Sequence, residues 1–211
     1  MENKGILCVV SGFSGAGKGT VMKALLEKYP SQYALSVSAT TRAPREGEEE
    51  GVAYFFKTQE EFQRMIEEDA LIEYAGYVNH YYGTPRAYVE SEMAAGRDVI
   101  LEIEIQGALK VKEKFPEAVL LFIMPPTAEE LKRRLVGRGT EDMATIEARL
   151  ARASEEAAGM EQYDYIVVND RLEACVEELH QIMISEHHRT GRNIEEIHKI
   201  REELKRFSKG E

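Results

Sequence analysis

The sequence predicts an α/β fold, a parallel sheet core flanked by helices. Four apolar, β-branched runs supply the strands: ILCVVS at 6–11, VILEIEI at 99–105, VLLFIM at 119–124 and YIVV at 165–168. Longer helical patterns lie between them, which is the spacing of crossover units. A glycine-rich stretch, GFSGAGKGT at 12–20, joins the first run to the first helical pattern.

The first helix starts within that stretch, runs through VMKALLEKY and ends at Pro30. Between about 34 and 95 the texture changes. ALSVSATT, VAYFFK, LIEYAGYV and NHYYG are short, tyrosine-rich, alternating segments around one helix, QEEFQRMIEEDA, which Thr58 and Glu61 cap as a box. The block reads as a small mixed-strand insertion on the core. In VILEIEI, Glu102 and Glu104 fall on the same face by the strand period of two. TAEELKRRLVGRGT opens with a second capping box, Thr127 to Glu130, and stops at the glycines around Arg138. A charged helix follows at about 142–160. Two helices joined by Gly-Arg-Gly make a mobile lid over about 126–159. The tail, 187–211, reads as an amphipathic helix capped by Asn193, with Ile194, Ile197, Leu204 and Phe207 near one face. A terminal helix of this kind packs on its core or frays in solvent. The core segments are then about 4–33, 96–125 and 160–186, and the chain forms one domain.

At 211 residues the chain can bury one sizeable core and is too short for two full domains. Apolar residues at 43% and charged residues at 31% indicate a soluble globular protein and exclude a disordered one. The two cysteines, Cys8 and Cys175, exclude a disulfide framework or a multi-cysteine metal site, and read as buried thiols in a reducing compartment. The N-terminal apolar run is too short for a signal peptide and no span is long enough to cross a bilayer, so a cytosolic, cytoplasmic protein is expected. A net charge of −11 argues against nucleic acid and anionic membranes as partners, because both reward broad basic surfaces. A small anionic substrate needs only a local cluster of arginines.

A loop that holds phosphate needs backbone N–H groups turned toward the anion, glycines to permit that backbone, a lysine for the terminal phosphates and a helix N-terminus behind it. Gly12, Ser14, Gly15, Ala16, Gly17 and Lys18 meet these needs after a strand and before a helix, the context the motif requires. Gly19 departs from the usual pattern, which has Ser or Thr after the lysine to touch magnesium. Thr20 is adjacent, and magnesium keeps several waters as ligands. The loop therefore points to a P-loop NTPase-type core and to phosphoryl transfer of the nucleoside monophosphate kinase kind more than to a GTPase switch. The phosphates of a nucleotide donor are expected around Gly12 to Thr20.

The next block, SVSATTRAPREGEEEGVAYFF, with IEYA, NHYYGT, LEIEIQGA, LKRRLVGRGT and VVND, resembles the guanylate kinase family in motif and order over about residues 5–186. The resemblance implies an ATP- and Mg2+-dependent kinase that converts GMP, and also dGMP, to GDP or dGDP. It implies that Arg42, Arg45, Tyr54 and Tyr82 hold the GMP phosphate; arginine pairs bind phosphate bidentately and phenols donate to the same oxygens. Glu73 matches the carboxylate that faces guanine N1 and N2, with Ser38 and Thr84 as hydroxyl partners of the base. A buried carboxylate left unpaired by adenine discriminates by ~10⁴-fold or more. Glu102 and Glu104 match the acidic pair that faces the metal and the acceptor ribose or base edge. Glu104 stands where an aspartate is usual, so with Thr20 it is expected to reach the metal through water.

The family's lid arginines fall on Arg134, Arg138 and Arg149, which with Lys18 and Arg42 would stabilise the loose, in-line transition state. The acceptor oxygen is already an anion, so no general base is needed and the histidines have no assigned role. Asn169, after the last core strand, is expected near the donor adenine. The rival from another class is a guanylate-kinase-like, non-catalytic protein-binding module; retention of Lys18, Arg42, Arg45, Arg138 and Arg149 speaks against it. The rival within the enzyme class, a kinase for another monophosphate, is disfavoured by Glu73 with Ser38 and Thr84. The sequence carries no reading of oligomeric state.

Overall fold

The computed structural model describes residues 4–77, 79–137 and 142–208. The chain divides into two compact units, Met1–Val176 and Glu177–Glu211. In the first unit a five-stranded sheet is built from β1 (Leu7–Gly12), β2 (Tyr33–Leu35), β7 (Asp98–Glu102), β8 (Val119–Met124) and β9 (Tyr165–Val168), in the order β2-β7-β1-β8-β9. Every pairing is parallel, so all the strands deliver their C-terminal ends to one edge. Crossover helices are required between parallel neighbours: α1 (Lys18–Lys28), α3 (Arg86–Ala94), α4 (Ile105–Lys114), α5 (Ala128–Gly137) and α6 (Met143–Ala157) supply them, and α7, which begins at Leu172, follows the last strand. The four apolar runs read from the sequence fall on β1, β7, β8 and β9, whereas β2 is not among them.

The central strand β1 is buried along Leu7–Ser11, and one face of the sheet packs Val9, Leu101, Leu120 and Phe122 against Val89 of α3 and Ala108 of α4. Phe122 is fully buried, with Phe13 and Tyr163 edge-on at 5.0 and 5.2 Å. Truncating it to alanine would cost about 3–5 kcal/mol through lost burial and the cavity left behind.

A second sheet, ordered β4-β3-β6-β5, comes from β3 (Ala39–Thr40), β4 (Phe55–Phe56), β5 (Leu71–Tyr77) and β6 (His80–Pro85). Helix α2 (Gln59–Glu67) covers it through Phe62, which packs with Ala39 and Leu71 and stacks on Tyr81 at 5.5 Å. The Thr58–Glu61 box forms as expected: Glu61 N donates to Thr58 Oγ1 and Thr58 N to Glu61 Oε2. The segment ALSVSATT, read as part of one block, is split. Ala34 and Leu35 pair with β7 in the core sheet, whereas Ala39 and Thr40 join the second sheet.

Three local expectations change. The strand expected over 99–105 ends at Glu102; Glu104 takes φ −77°, ψ 161° as N-cap of α4, and its carbonyl accepts from Ala108 N. Glu102 and Glu104 therefore do not share a strand face. The pairing of β7 with β1 stops at Val10 and Glu102, although β1 runs on to Gly12 beside β8, and the chain beyond Glu102 is secured instead by Ser11 Oγ donating to Ile103 O at 2.7 Å. The Thr127–Glu130 box is half formed: Glu130 N donates to Thr127 Oγ1, but the Glu130 carboxylate goes to Arg133 and Arg134. In the second unit, α8 (Ile194–Ser208) follows a 3-10 turn at Thr190–Asn193. Asn193 does not cap it as expected; its Nδ2 donates backward to the carbonyls of His187 and Arg189, both at 2.9 Å. Among the described residues no helix is long and apolar enough to cross a membrane, and both cysteines are buried.

Candidate active site

The glycine loop leaves β1 at the C-terminal edge of the sheet. A Cβ at Gly12 would lie 2.2 Å from the Ile123 carbonyl oxygen, so β1 can approach β8 this closely only with glycine there. Gly15 and Gly17 take φ of +93° and +90°, the left-handed region that glycine enters without steric cost. Lys18 opens α1 and folds back over its own loop, its Nζ donating to the carbonyls of Gly12 at 2.7 Å and Phe13 at 3.3 Å. Gly19 has open space around it and Thr20 is exposed.

The Ala16 carbonyl is gripped from two elements. Asn169 Nδ2, just beyond β9, donates to it at 2.8 Å, and Arg134 Nη1, from α5, at 3.3 Å. Arg134 Nη2 also donates to the Asn169 carbonyl at 2.8 Å, and its Nε to Glu130 at 2.6 Å. Hydrogen bonds from Arg133 and then Arg134 hold the Glu130 carboxyl down to about 2. Arg134 and Asn169 are thus brought to the loop, but onto its carbonyl side, and neither lines the clefts described below.

On the other side, β5 and β6 pair antiparallel and carry Glu73 and Thr84. Glu73 is 8% exposed, and its Oε1 accepts from Thr84 Oγ1 at 2.8 Å. Burial pushes the Glu73 carboxyl above its ordinary value, while the Thr84 hydroxyl pulls it partly back. A cleft of about 380 Å³ is lined by Ser38, Tyr54, Glu73, Tyr82, Glu102 and Glu104, among others. Arg42 lies over the Tyr54 ring at 5.3 Å, and the Tyr54 and Tyr82 rings meet edge-on at 5.9 Å. Arg45 is exposed nearby.

Sequence reasoning missed Glu48. Its Oε1 accepts from Arg42 Nη2 and its Oε2 from the Arg45 backbone N, both at 2.8 Å, while Glu48 N donates to Arg45 O at 3.1 Å. The Arg42 bond, then the Arg45 bond, hold its carboxyl below the usual range. The available signal was the spacing of Arg45 and Glu48 across a turn containing Gly47, at φ +83°.

A larger cleft of about 610 Å³ is lined by Gly12, Ser14, Lys18, Glu102, Glu104 and Arg149, so the two clefts meet at Glu102–Glu104. Helix α6 is started by Asp142, which accepts from Thr145 N. It rests on α5 through Leu131, Leu135, Ile146 and Ala153. It brings Arg149 Nη1 to Ser14 Oγ at 2.6 Å and Arg152 Nη2 to Glu104 at 2.6 Å. Arg152 was also missed; its bond to Glu156, one turn along the same helix, was the only local signal. Arg138 lies outside the described residues.

One cleft therefore offers a glycine loop with a lysine and an arginine, and the other a buried carboxylate with two phenols, one of them under Arg42, and the clefts share two carboxylates. These features on a parallel sheet define a P-loop α/β phosphotransferase of the nucleoside monophosphate kinase class. The guanylate kinase family model matches residues 4–186. A guanylate kinase of Caldanaerobacter subterraneus subsp. tengcongensis is 53% identical over 203 residues, covering 96% of this chain and 98% of that protein. One of Bacillus subtilis is 49% identical over 187 residues, covering 89% and 92%. The crystal structure of guanylate kinase from Anaplasma phagocytophilum superposes with a TM-score of 0.70 at 36% identity, covering 91% of each chain. The chain belongs to the guanylate kinase family and is an enzyme of it. The rival reading as a non-catalytic module gives way to relatives of this identity and coverage.

Proposed function

We propose that the protein transfers the terminal phosphoryl group of ATP to GMP, giving ADP and GDP, and that it accepts dGMP in the same way. The observation that carries this reading is the junction of the two clefts at Glu102–Glu104, which suits two phosphate-bearing molecules meeting head to head. Arg42, Arg45, Tyr54 and Tyr82 hold the GMP phosphate, with Glu48 fixing Arg42. Glu73 accepts from guanine N1–H and the 2-amino group, with Ser38 and Thr84 beside it. Lys18, Arg149 and Arg138 stabilise charge on the transferred group. A GMP phosphate oxygen forms the new bond to phosphorus as the bond to the ADP oxygen breaks, and no base is needed because the attacking oxygen is already an anion.

The residues fit a magnesium ion held mainly by nucleotide phosphates and water. Among the described residues no cluster of three or more His, Cys, Asp or Glu could hold a metal unaided. Thr20 at the start of α1, with Glu102 and Glu104 on the cleft wall, offers oxygen ligands, directly or through water. When bound, the ion neutralises charge on the donor phosphates. The segment 34–95 acts as the acceptor-binding part and 126–159 as the lid. A cytosolic role in recycling GMP toward the guanine nucleotide pool follows from that chemistry and from two buried thiols. The test is a coupled assay of ADP formation with ATP, magnesium and GMP, AMP, CMP or UMP in turn. Turnover with GMP alone is expected; none with any of the four would overturn the reading.

A further inference from the structure

We propose that Asn169, together with Arg134, is a positioning residue for the phosphate loop and acts on the donor's phosphates through the Ala16 carbonyl, not on the donor's base. The inference rests on the kinase reading above only in naming ATP as the physiological occupant of the loop.

The Ala16–Gly17 peptide is planar and trans, so its carbonyl and its N–H point in opposite directions. Asn169 Nδ2 at 2.8 Å and Arg134 Nη1 at 3.3 Å fix the carbonyl, and thereby fix the direction of the Gly17 N–H. An amide at this point of the loop, at the N-cap of α1, is one of the donors an anion meets. Asn169 itself is 7% exposed and cannot swing freely: its own N donates to Met124 O at 2.8 Å, and its carbonyl accepts from Arg134 Nη2. A Cβ at Gly17 would come within 2.6 Å of Asn169 Nδ2, so the carboxamide is packed directly against the left-handed turn it stabilises. Arg134 in turn is braced by Glu130, which stays ionised down to a pH of about 2. The chain of contacts runs from α5 and β9 into one peptide plane. It commits one of the two hydrogens of the Asn169 amide to the loop, and Asn169 lines neither cleft.

The experiment measures binding to the full-length protein by titration calorimetry, with ATP and with inorganic tripolyphosphate, which has no base. In Asn169→Asp the donor becomes an acceptor beside the Ala16 carbonyl, and affinity for both ligands is expected to fall by the same factor, roughly tenfold. Glu130→Gln, which loosens Arg134 from the protein surface without touching the loop, should weaken both by a smaller common factor, about threefold. This second variant decides the matter should Asn169→Asp fail to fold. KM for GMP should be unchanged in both variants, a split that a general loss of structure would not produce. Weakened ATP binding with unchanged tripolyphosphate binding would assign Asn169 to the base and overturn the proposal, as would unchanged binding of both. Because neither titration needs turnover, a wild-type protein that binds tripolyphosphate yet does not phosphorylate GMP would defeat the functional reading and leave this one standing.

Discussion

Replacing Glu73 by glutamine keeps the size and the acceptor for the Thr84 hydroxyl, 2.8 Å away, while removing the charge and setting an NH₂ group where the second carboxylate oxygen was. Guanine presents donors at N1 and N2, so in the variant one charge-assisted contact is lost and a donor faces a donor. A hydrogen bond to a charged group contributes about 1.5–3 kcal/mol, and an unsatisfied buried partner costs about 1–3 kcal/mol. With the side chain only 8% exposed, water cannot relieve the mismatch. The sum, about 2.5–6 kcal/mol, corresponds to a fall in kcat/KM for GMP of roughly 10²- to 10⁴-fold. The assay is steady-state turnover with GMP varied at saturating ATP, together with binding of GMP alone. A loss smaller than about threefold would refute the assignment of Glu73 to the guanine edge.

The same residue makes a prediction about pH. Its folded value is raised by burial above the ordinary 4.5. Below that ordinary value the carboxyl is protonated in both folded and unfolded chains. Between it and the raised folded value the folded chain binds more protons, so this group's contribution to stability falls as pH rises, and above the folded value the full penalty of a buried charge is present. Glu73→Gln should therefore melt at a higher temperature than the wild type at neutral pH, with the difference shrinking as pH falls toward 4.5. Since guanine binding needs the ionised form, KM for GMP in the wild type should improve as pH rises through a window above 4.5, and the variant should show no such step. A variant that melts lower at neutral pH would contradict the buried-charge argument.

Arg149→Ala removes the guanidinium that reaches Ser14 at the loop and should lower kcat by ~10³-fold, the lower end for a transition-state arginine, with little change in KM for GMP; near-wild-type turnover would remove it from the mechanism. Gly19→Ser adds a side chain where no atom lies within 4 Å of the new Cβ. It should fold normally, keep kcat within about threefold, and lower the magnesium concentration that gives half-maximal rate, because a hydroxyl joins the ligand set. A large loss of turnover would show that the space is needed by the bound nucleotide. Glu48→Gln weakens the hold on Arg42 and should raise KM for GMP by about tenfold while leaving KM for ATP unchanged, a misplacement effect; equal changes in both constants would make Glu48 a general structural residue.

The sequence by itself determined whatever depends on near neighbours along the chain. The strands β1, β7 and β8 were legible because buried parallel strands must be continuously apolar, and the edge strand β9 because its short run is apolar and β-branched although two of its residues are exposed. The glycine loop was legible because its φ values and its lysine are demanded within a few residues, and the Thr58–Glu61 box because both partners lie within one turn. The residues proposed for the acceptor site stood out as a pattern of side chains in fixed order, without any account of what holds them. Tertiary structure alone decided the rest. Whether Glu104 continued a strand or capped a helix depended on where the pairing between β1 and β7 ended. The state of the Glu73 carboxyl depended on burial, which a single strand's alternation does not specify. Asn169 and the Ala16 carbonyl are separated by 153 residues, and they meet because β8 seats β1 and β9 on either side of it, so that both chains leave the sheet at the same edge. Contacts of that range are set by the order of strands in the sheet, and that order is fixed by how all the apolar faces bury together, not by any one stretch of residues.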